Sequence, residues 1–133
     1  MRIVIDTNLI IAARFNPKSA SAKIIEKVEK GGLELIWSDE IYREAMQILQ
    51  NVRADEKFRI RIEKILSSSR KVTRLPRINI IREDPSDNMF LAAAVRGNAD
   101  YIVSNDRHLL RLKGFRNIPI VSSTQALQLF HPL

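Results

Sequence analysis

Arg2-Ile3-Val4-Ile5-Asp6-Thr7-Asn8 decides how the rest of the chain is read. Three β-branched residues in a row favour a strand, and an apolar run without alternation suits one covered on both faces. The run stops on an acid, a hydroxyl and an amide. Asp6 therefore closes the strand at its carboxyl end, where open α/β sheets collect ligands. An ionised Asp beside Ile3-Val4-Ile5 is costly unless something compensates it. Two compensations are open: Asp6 caps a helix at Thr7-Asn8, or it shares a metal ion with other acids.

Outward from this stretch, strands and helices alternate. A helix is expected at residues 9–13, which Thr7 can cap, broken by Asn16-Pro17-Lys18-Ser19. A second covers residues 20–30 and ends at Gly31-Gly32. Glu34-Leu35-Ile36-Trp37 reads as a strand. Ser38-Asp39-Glu40 then supplies a cap and an acidic first turn for a helix with Ile41, Ala45, Ile48 and Val52 on one face. Another amphipathic helix turns Phe58, Ile62, Ile65 and Leu66 inward and stops at Ser67-Ser68-Ser69.

One short strand is expected within residues 72–81, which Pro76 interrupts. Asp84-Pro85-Ser86-Asp87 opens an Ala-rich helix through Arg96, closed by Gly97-Asn98. A strand at 101–103, a short helix at 106–112, a strand at 118–121 and a helix at 124–130 follow. Such alternation implies a parallel sheet with helices on both faces. The 133 residues form one domain, 1–133, without repeat or linker. No G-x-G-x-x-G or G-x-x-x-x-G-K-[ST] supports a nucleotide site.

Composition narrows the function classes. Apolar residues at 45% and charged residues at 28% exclude a disordered or fibrous chain. With no cysteine there is neither a disulfide framework nor a thiolate metal site. No apolar run approaches the ~18 residues of a membrane span, and no signal-peptide pattern opens the chain, so a cytoplasmic protein is expected. Ten Lys/Arg against three acids in residues 53–82 account for the whole net charge of +7. Arg53, Lys57, Arg59, Arg61, Lys64, Arg70, Lys71 and Arg74 in that stretch are candidates for a polyanion such as nucleic acid; the alternative is a solvated helix face.

Three further acids sit like Asp6. Glu44 lies three residues after Ile41 and four before Ile48, flush with an apolar helix face, where either a metal or a buried Arg would have to meet it. Asp84 and Pro85 read as cap and first helical residue, which leaves Asp87, on the face of Leu91 and Ala94, less well explained. Asp106 follows a strand and again has a capping alternative. Together the four make an oxygen-only set, which selects a hard cation, Mg²⁺ or Mn²⁺. His108 and His131 are isolated and read as surface or packing residues.

Ile5-Asp6-Thr7-Asn8, Ser38-Asp39-Glu40-Ile41 leading to Glu44, Asp84-Pro85-Ser86-Asp87-Asn88 and Tyr101-Ile102-Val103-Ser104-Asn105-Asp106, in this order, resemble the PIN-domain nucleases. The likeness is to the small prokaryotic members, which include the toxin halves of VapBC-type toxin–antitoxin pairs, and it runs over essentially the whole chain. It implies an α/β/α sandwich around a five-stranded parallel sheet. It also implies an acidic quartet of Asp6, Glu44, Asp87 and Asp106, with Asn8 and Ser104 as polar support and Asp84 as cap and support. Asn105 departs from the pattern, since many relatives carry Gly there. The implied activity is Mg²⁺- or Mn²⁺-dependent cleavage of single-stranded RNA, in which a bound ion polarises a phosphoryl oxygen and activates water. Asp6 and Asp106 are then the leading ligands, Asp87 serves a second ion or a bridging water, and Glu44 holds water or acts as base. An antitoxin partner and a homodimer are implied too. The alternative is a catalytically silent PIN fold that binds RNA or protein.

Overall fold

The structure, a computed structural model, describes residues 1–130. Ile3, Val4 and Ile5 lie fully buried in β1 (Arg2–Ile5). Two parallel strands flank it. β2 (Glu34–Trp37) sets Leu35 level with Ile3, and β4 (Tyr101–Val103) sets Val103 level with Ile5. β3 (Arg70–Lys71) continues the sheet beyond β2, and β6 (Ile118–Val121) continues it beyond β4. These five strands are parallel, as the alternation implies. A sixth, β5 (Gly114–Phe115), runs antiparallel along β6, giving the order β3-β2-β1-β4-β6-β5. Arg116 and Asn117 join β5 to β6 at φ 48° and 68°, the paired left-handed conformation that a two-residue hairpin turn requires.

The pleat divides the core. Ile3 and Ile5 pack on one face with α1 (Thr7–Phe15), α2 (Ala20–Glu29), α4 (Glu56–Ser67) and α7 (Ser123–Leu129). Val4 faces the other side, under α5 (Asn88–Arg96) and α6 (Arg107–Leu110). The result is a three-layer α/β/α sandwich. α3 (Asp39–Asn51) reaches both cores, with Ile41 in one and Ala45 and Leu49 in the other. Buried Ala92, Ala93 and Ala94 let α5 sit close on the sheet, and at its end a Cβ on Gly97 would stand 2.8 Å from the Ile36 side chain.

Three local expectations are corrected. The strand sought within residues 72–81 lies earlier, at β3, and residues 72–84 carry no regular structure. Pro76 lacks a ladder donor there, and the Ile80 and Ile81 amides donate to the Asn88 side chain instead of a strand partner, each at 2.9 Å. The buried stripe of α3 runs Ile41, Ala45, Leu49; Ile48 is half-buried and Val52 is the C-cap. Finally, Asp6 rather than Thr7 caps α1.

Candidate active site

β1 and β4 lie side by side, but the chain leaves them in opposite directions, through α1 and α2 to β2 and through α6 to β6. A crevice opens at such a switch point. The first residues beyond the two strands are Asp6 on one side and Ser104-Asn105-Asp106 on the other.

Asp6 is only 2% exposed. Its Oδ1 accepts from the Asn8 backbone N–H at 3.0 Å, capping α1, and its Oδ2 accepts from the Ser104 hydroxyl at 2.7 Å. The Ser104 oxygen in turn accepts from the Asp106 backbone N–H at 3.0 Å. Asp106 caps α6, its Oδ1 accepting from the His108 N–H at 2.6 Å. Capping and clustering are therefore not rivals. The two caps, stitched through Ser104, aim both acids at the crevice. Of Asn8, only the backbone takes part in these bonds.

Thr7, buried at the first helical position, donates its hydroxyl to Glu44 Oε2 at 2.7 Å and draws the α3 carboxylate toward Asp6. Sequence reasoning gave Thr7 only a capping role; its sequence neighbour Asp6 was the available signal. Asp87 ends a 3₁₀ turn, Pro85–Asp87, that leads into α5, and it is 5% exposed. Asn88 fixes this corner: besides its two amide contacts to Ile80 and Ile81, its own NH₂ donates to the Ile81 and Pro85 carbonyls, each at 2.9 Å. Asp84 is exposed, and its side chain makes no capping bond. The capping expectation for that carboxylate is thus corrected. Pro85 keeps its place at the helix start, but Asp84 Oδ1 accepts from the Ser86 hydroxyl at 2.7 Å instead. Asn105, the departure from the family pattern, accepts from the Ser123 backbone N–H at 2.9 Å and ties the β4–α6 turn to the start of α7.

The acids feel one another. Burial is the chief cause raising Asp6, opposed by the Asn8 and Ser104 hydrogen bonds and reinforced by Asp106 and Asp84. Glu44 is raised first by burial, against its Thr7 bond, with Asp6 and Asp84 adding to the rise and the Ser86 hydroxyl opposing it. Asp87 is pushed up to about 7 by burial and then by Asp84, Asp6, Asp106 and Glu44. Asp87 Oδ2 is buried without a hydrogen-bond partner. Among the described residues, no Lys or Arg forms an ion pair with any of these five acids. A buried carboxylate oxygen with no donor and no counter-charge is what a cation would satisfy.

His108 corrects a further expectation. One donor atom each from Asp87, Asp106 and His108 lies within 4.8 Å of the others, so this imidazole belongs to the site. His131 falls outside the described residues.

The basic residues are not in the crevice. Arg61 makes a two-pronged bond to Glu29, at 2.9 and 3.0 Å. Arg70 reaches Glu34 at 2.6 Å, and Lys71 reaches Asp39 at 2.7 Å while lying 5.6 Å from the Trp37 ring centre. The local surplus counted along the sequence is thus partly neutralised by acids from earlier segments. Arg53, Lys57, Arg59, Lys64 and Arg74 remain exposed. β3 stands two strands from β1, about 10 Å across the sheet.

An α/β/α sandwich with five acids gathered at the switch point of its sheet belongs to the class of α/β proteins whose site is a carboxylate cluster. The family described as PIN domain matches residues 2–108, and the chain belongs to that family, whose members are generally nucleases that typically use a divalent metal. No curated protein matches the sequence significantly. Two solved structures share the fold. One is VapBC2 from Rickettsia felis, bound to a DNA fragment from its promoter, at 15% identity and TM-score 0.60, covering 92% of this chain and 98% of that one. The other is PAE2754 from Pyrobaculum aerophilum, at 16% identity and TM-score 0.58, covering 100% and 91%. Among the described residues, no helix is long and apolar enough to cross a membrane.

Proposed function

We propose that this PIN domain is a Mg²⁺- or Mn²⁺-dependent endoribonuclease that hydrolyses phosphodiester bonds of single-stranded RNA. The observation that carries the reading is the buried, unpartnered Asp87 Oδ2 among four other acids that no Lys or Arg neutralises. Asp6, Asp87, Asp106 and Glu44 would hold the cation. When bound, a divalent ion supplies Lewis-acid polarisation of a phosphoryl oxygen and an acidified water.

The chain's own residues supply position and proton handling. Ser104 locks Asp6 and Asp106 to each other, so the two strand ends present their carboxylates as a unit. Thr7 holds Glu44 through Oε2 and so positions this carboxylate to take a proton from attacking water. Burial raises the proton affinity of Glu44, which favours that uptake. Arg53, Lys57, Arg59, Lys64 and Arg74, all exposed, would hold the RNA backbone and give affinity without sequence choice.

The shared fold with VapBC2 supports a role as the toxin of a toxin–antitoxin pair, with an antitoxin protein as partner. A homodimer is the expected assembly on the family resemblance. The deciding experiment is cleavage of single-stranded RNA with Mg²⁺, with Mn²⁺ and with chelator, for the wild type and Asp6→Asn. Cutting that needs metal and disappears in the variant supports the reading. RNA that is bound but never cut would make this a silent binding module.

A further inference from the structure

The oxygen-only donor set leaves out a residue that the fold delivers to the site. The α6 cap places His108 beside Asp106: its backbone N–H donates to Asp106 Oδ1 at 2.6 Å, while its Nδ1 stands 3.5 Å from the same oxygen, beyond an N–H···O bond. That Nδ1 is buried and has no hydrogen-bond partner. Asp87 Oδ2 shares both properties, and it comes from a different element, the 3₁₀ turn ahead of α5. Two buried polar atoms without partners therefore occur in residues whose donor atoms lie within 4.8 Å of one another and of Asp106. Two donors on a single first-row ion, each bonded at about 2.1 Å, stand up to about 4.2 Å apart, so little movement would close the triad.

We propose that His108 is a nitrogen ligand completing a mixed site with Asp87 and Asp106, and that this imidazole turns cation preference from Mg²⁺ toward Mn²⁺ and its first-row neighbours. The proposal rests on the metal-dependent reading above and specifies which cation that site takes. Mg²⁺ keeps to oxygen donors and retains its waters, so an imidazole adds little to its binding. First-row transition ions accept imidazole readily, with affinity rising along the row from Mn²⁺. Asp106 has two tasks in this arrangement: Oδ1 holds the His108 backbone, which fixes where the ring can go, and Oδ2 stays free for the ion. The competing role for His108 is a protonated counter-ion for Asp106, which would give no nitrogen–metal bond.

The test is metal binding to the full chain, read apart from catalysis. Mn²⁺ and Mg²⁺ affinities are measured by calorimetry for the wild type and His108→Ala, and pulsed EPR of the Mn²⁺ complex looks for hyperfine coupling to a nitrogen nucleus. The expected result is nitrogen coupling in the wild type and none in H108A. Mn²⁺ affinity should fall by at least about tenfold while Mg²⁺ affinity changes by less than about twofold. Mn²⁺ bound without nitrogen coupling in the wild type overturns the proposal even if H108A fails to fold. Equal loss for both ions, or no binding of either, overturns it too. RNA cutting in Mg²⁺, assayed on the same wild-type sample, stands or falls independently of these outcomes, so failure of the nuclease reading is seen separately.

Discussion

The acids around Asp6 and the basic residues of α4 and β3 carry opposite charge, and they are also held in opposite ways. Arg61, Arg70 and Lys71 are partly exposed, and each has a carboxylate from another element: Glu29, Glu34 and Asp39. Asp6 and Asp87 are buried among further acids, with hydroxyl and backbone N–H donors on Asp6 and the His108 ring beside Asp87, and among the described residues no Lys or Arg pairs with either. Paired exposed charge costs the fold little and contributes little. Buried like charge opposes folding, so its retention needs a reason outside the fold. That difference, more than the number of charges, is why the proposed chemistry is assigned to the crevice and backbone holding to the exposed basic residues.

Breaking the acid side should have the largest effect. Asp87→Asn is expected to lower RNA cleavage by at least about a hundredfold, measured as a single-turnover rate with Mn²⁺. Thr7→Val leaves Glu44 without its tether and should cost about tenfold in the same assay, with the circular dichroism spectrum unchanged. Asn88→Ala removes four bonds of a buried amide and strands two backbone N–H groups, so urea unfolding should show a loss of about 2–4 kcal/mol.

On the basic side the effects should be smaller. The triple change of Lys57, Arg59 and Lys64 to Ala should weaken RNA binding and flatten its salt dependence by about two in log–log slope, without altering where the RNA is cut. Arg61→Ala, which breaks a half-exposed pair, should cost no more than about 1 kcal/mol of stability. A large loss there would blur the contrast between the two regions.

Much of the fold was legible in the apolar pattern. Ile3-Val4-Ile5 favoured a covered strand, and the alternation behind it implied a parallel sheet between two helix layers. β5 was not legible: Gly114-Phe115 has no apolar run, and only the left-handed pair Arg116-Asn117 marks the hairpin. β3 was misplaced because Arg70 and Lys71 look like surface residues, whereas Ile78–Ile81 looks like a strand and is instead held by Asn88. At the site, the positions of Asp6, Glu44, Asp87 and Asp106 were readable from strand ends and helix faces. Hydrogen bonding was not. Thr7's reach to Glu44 and the distance from His108 to Asp87 depend on how α1, α3, α5 and α6 meet, and no local sequence pattern encodes that.

Burial and crowding of these acids also set a pH dependence. With its proton affinity raised from 3.8 to about 7, Asp87 is bound more tightly by a proton in the folded chain than in the unfolded one. Its contribution to metal-free stability is therefore full below pH 3.8 and is lost as the pH rises through about 7. Asp6 and Glu44 act in the same direction. The most direct test of the central claim is the melting temperature of wild type and Asp87→Asn at pH 8, without metal and with saturating Mn²⁺. The metal-free variant should melt at least about 3 °C above wild type and gain much less than wild type when Mn²⁺ is added. Identical melting of the two proteins in both conditions would contradict it, because Asp87 would then be neither crowded by like charge nor a ligand.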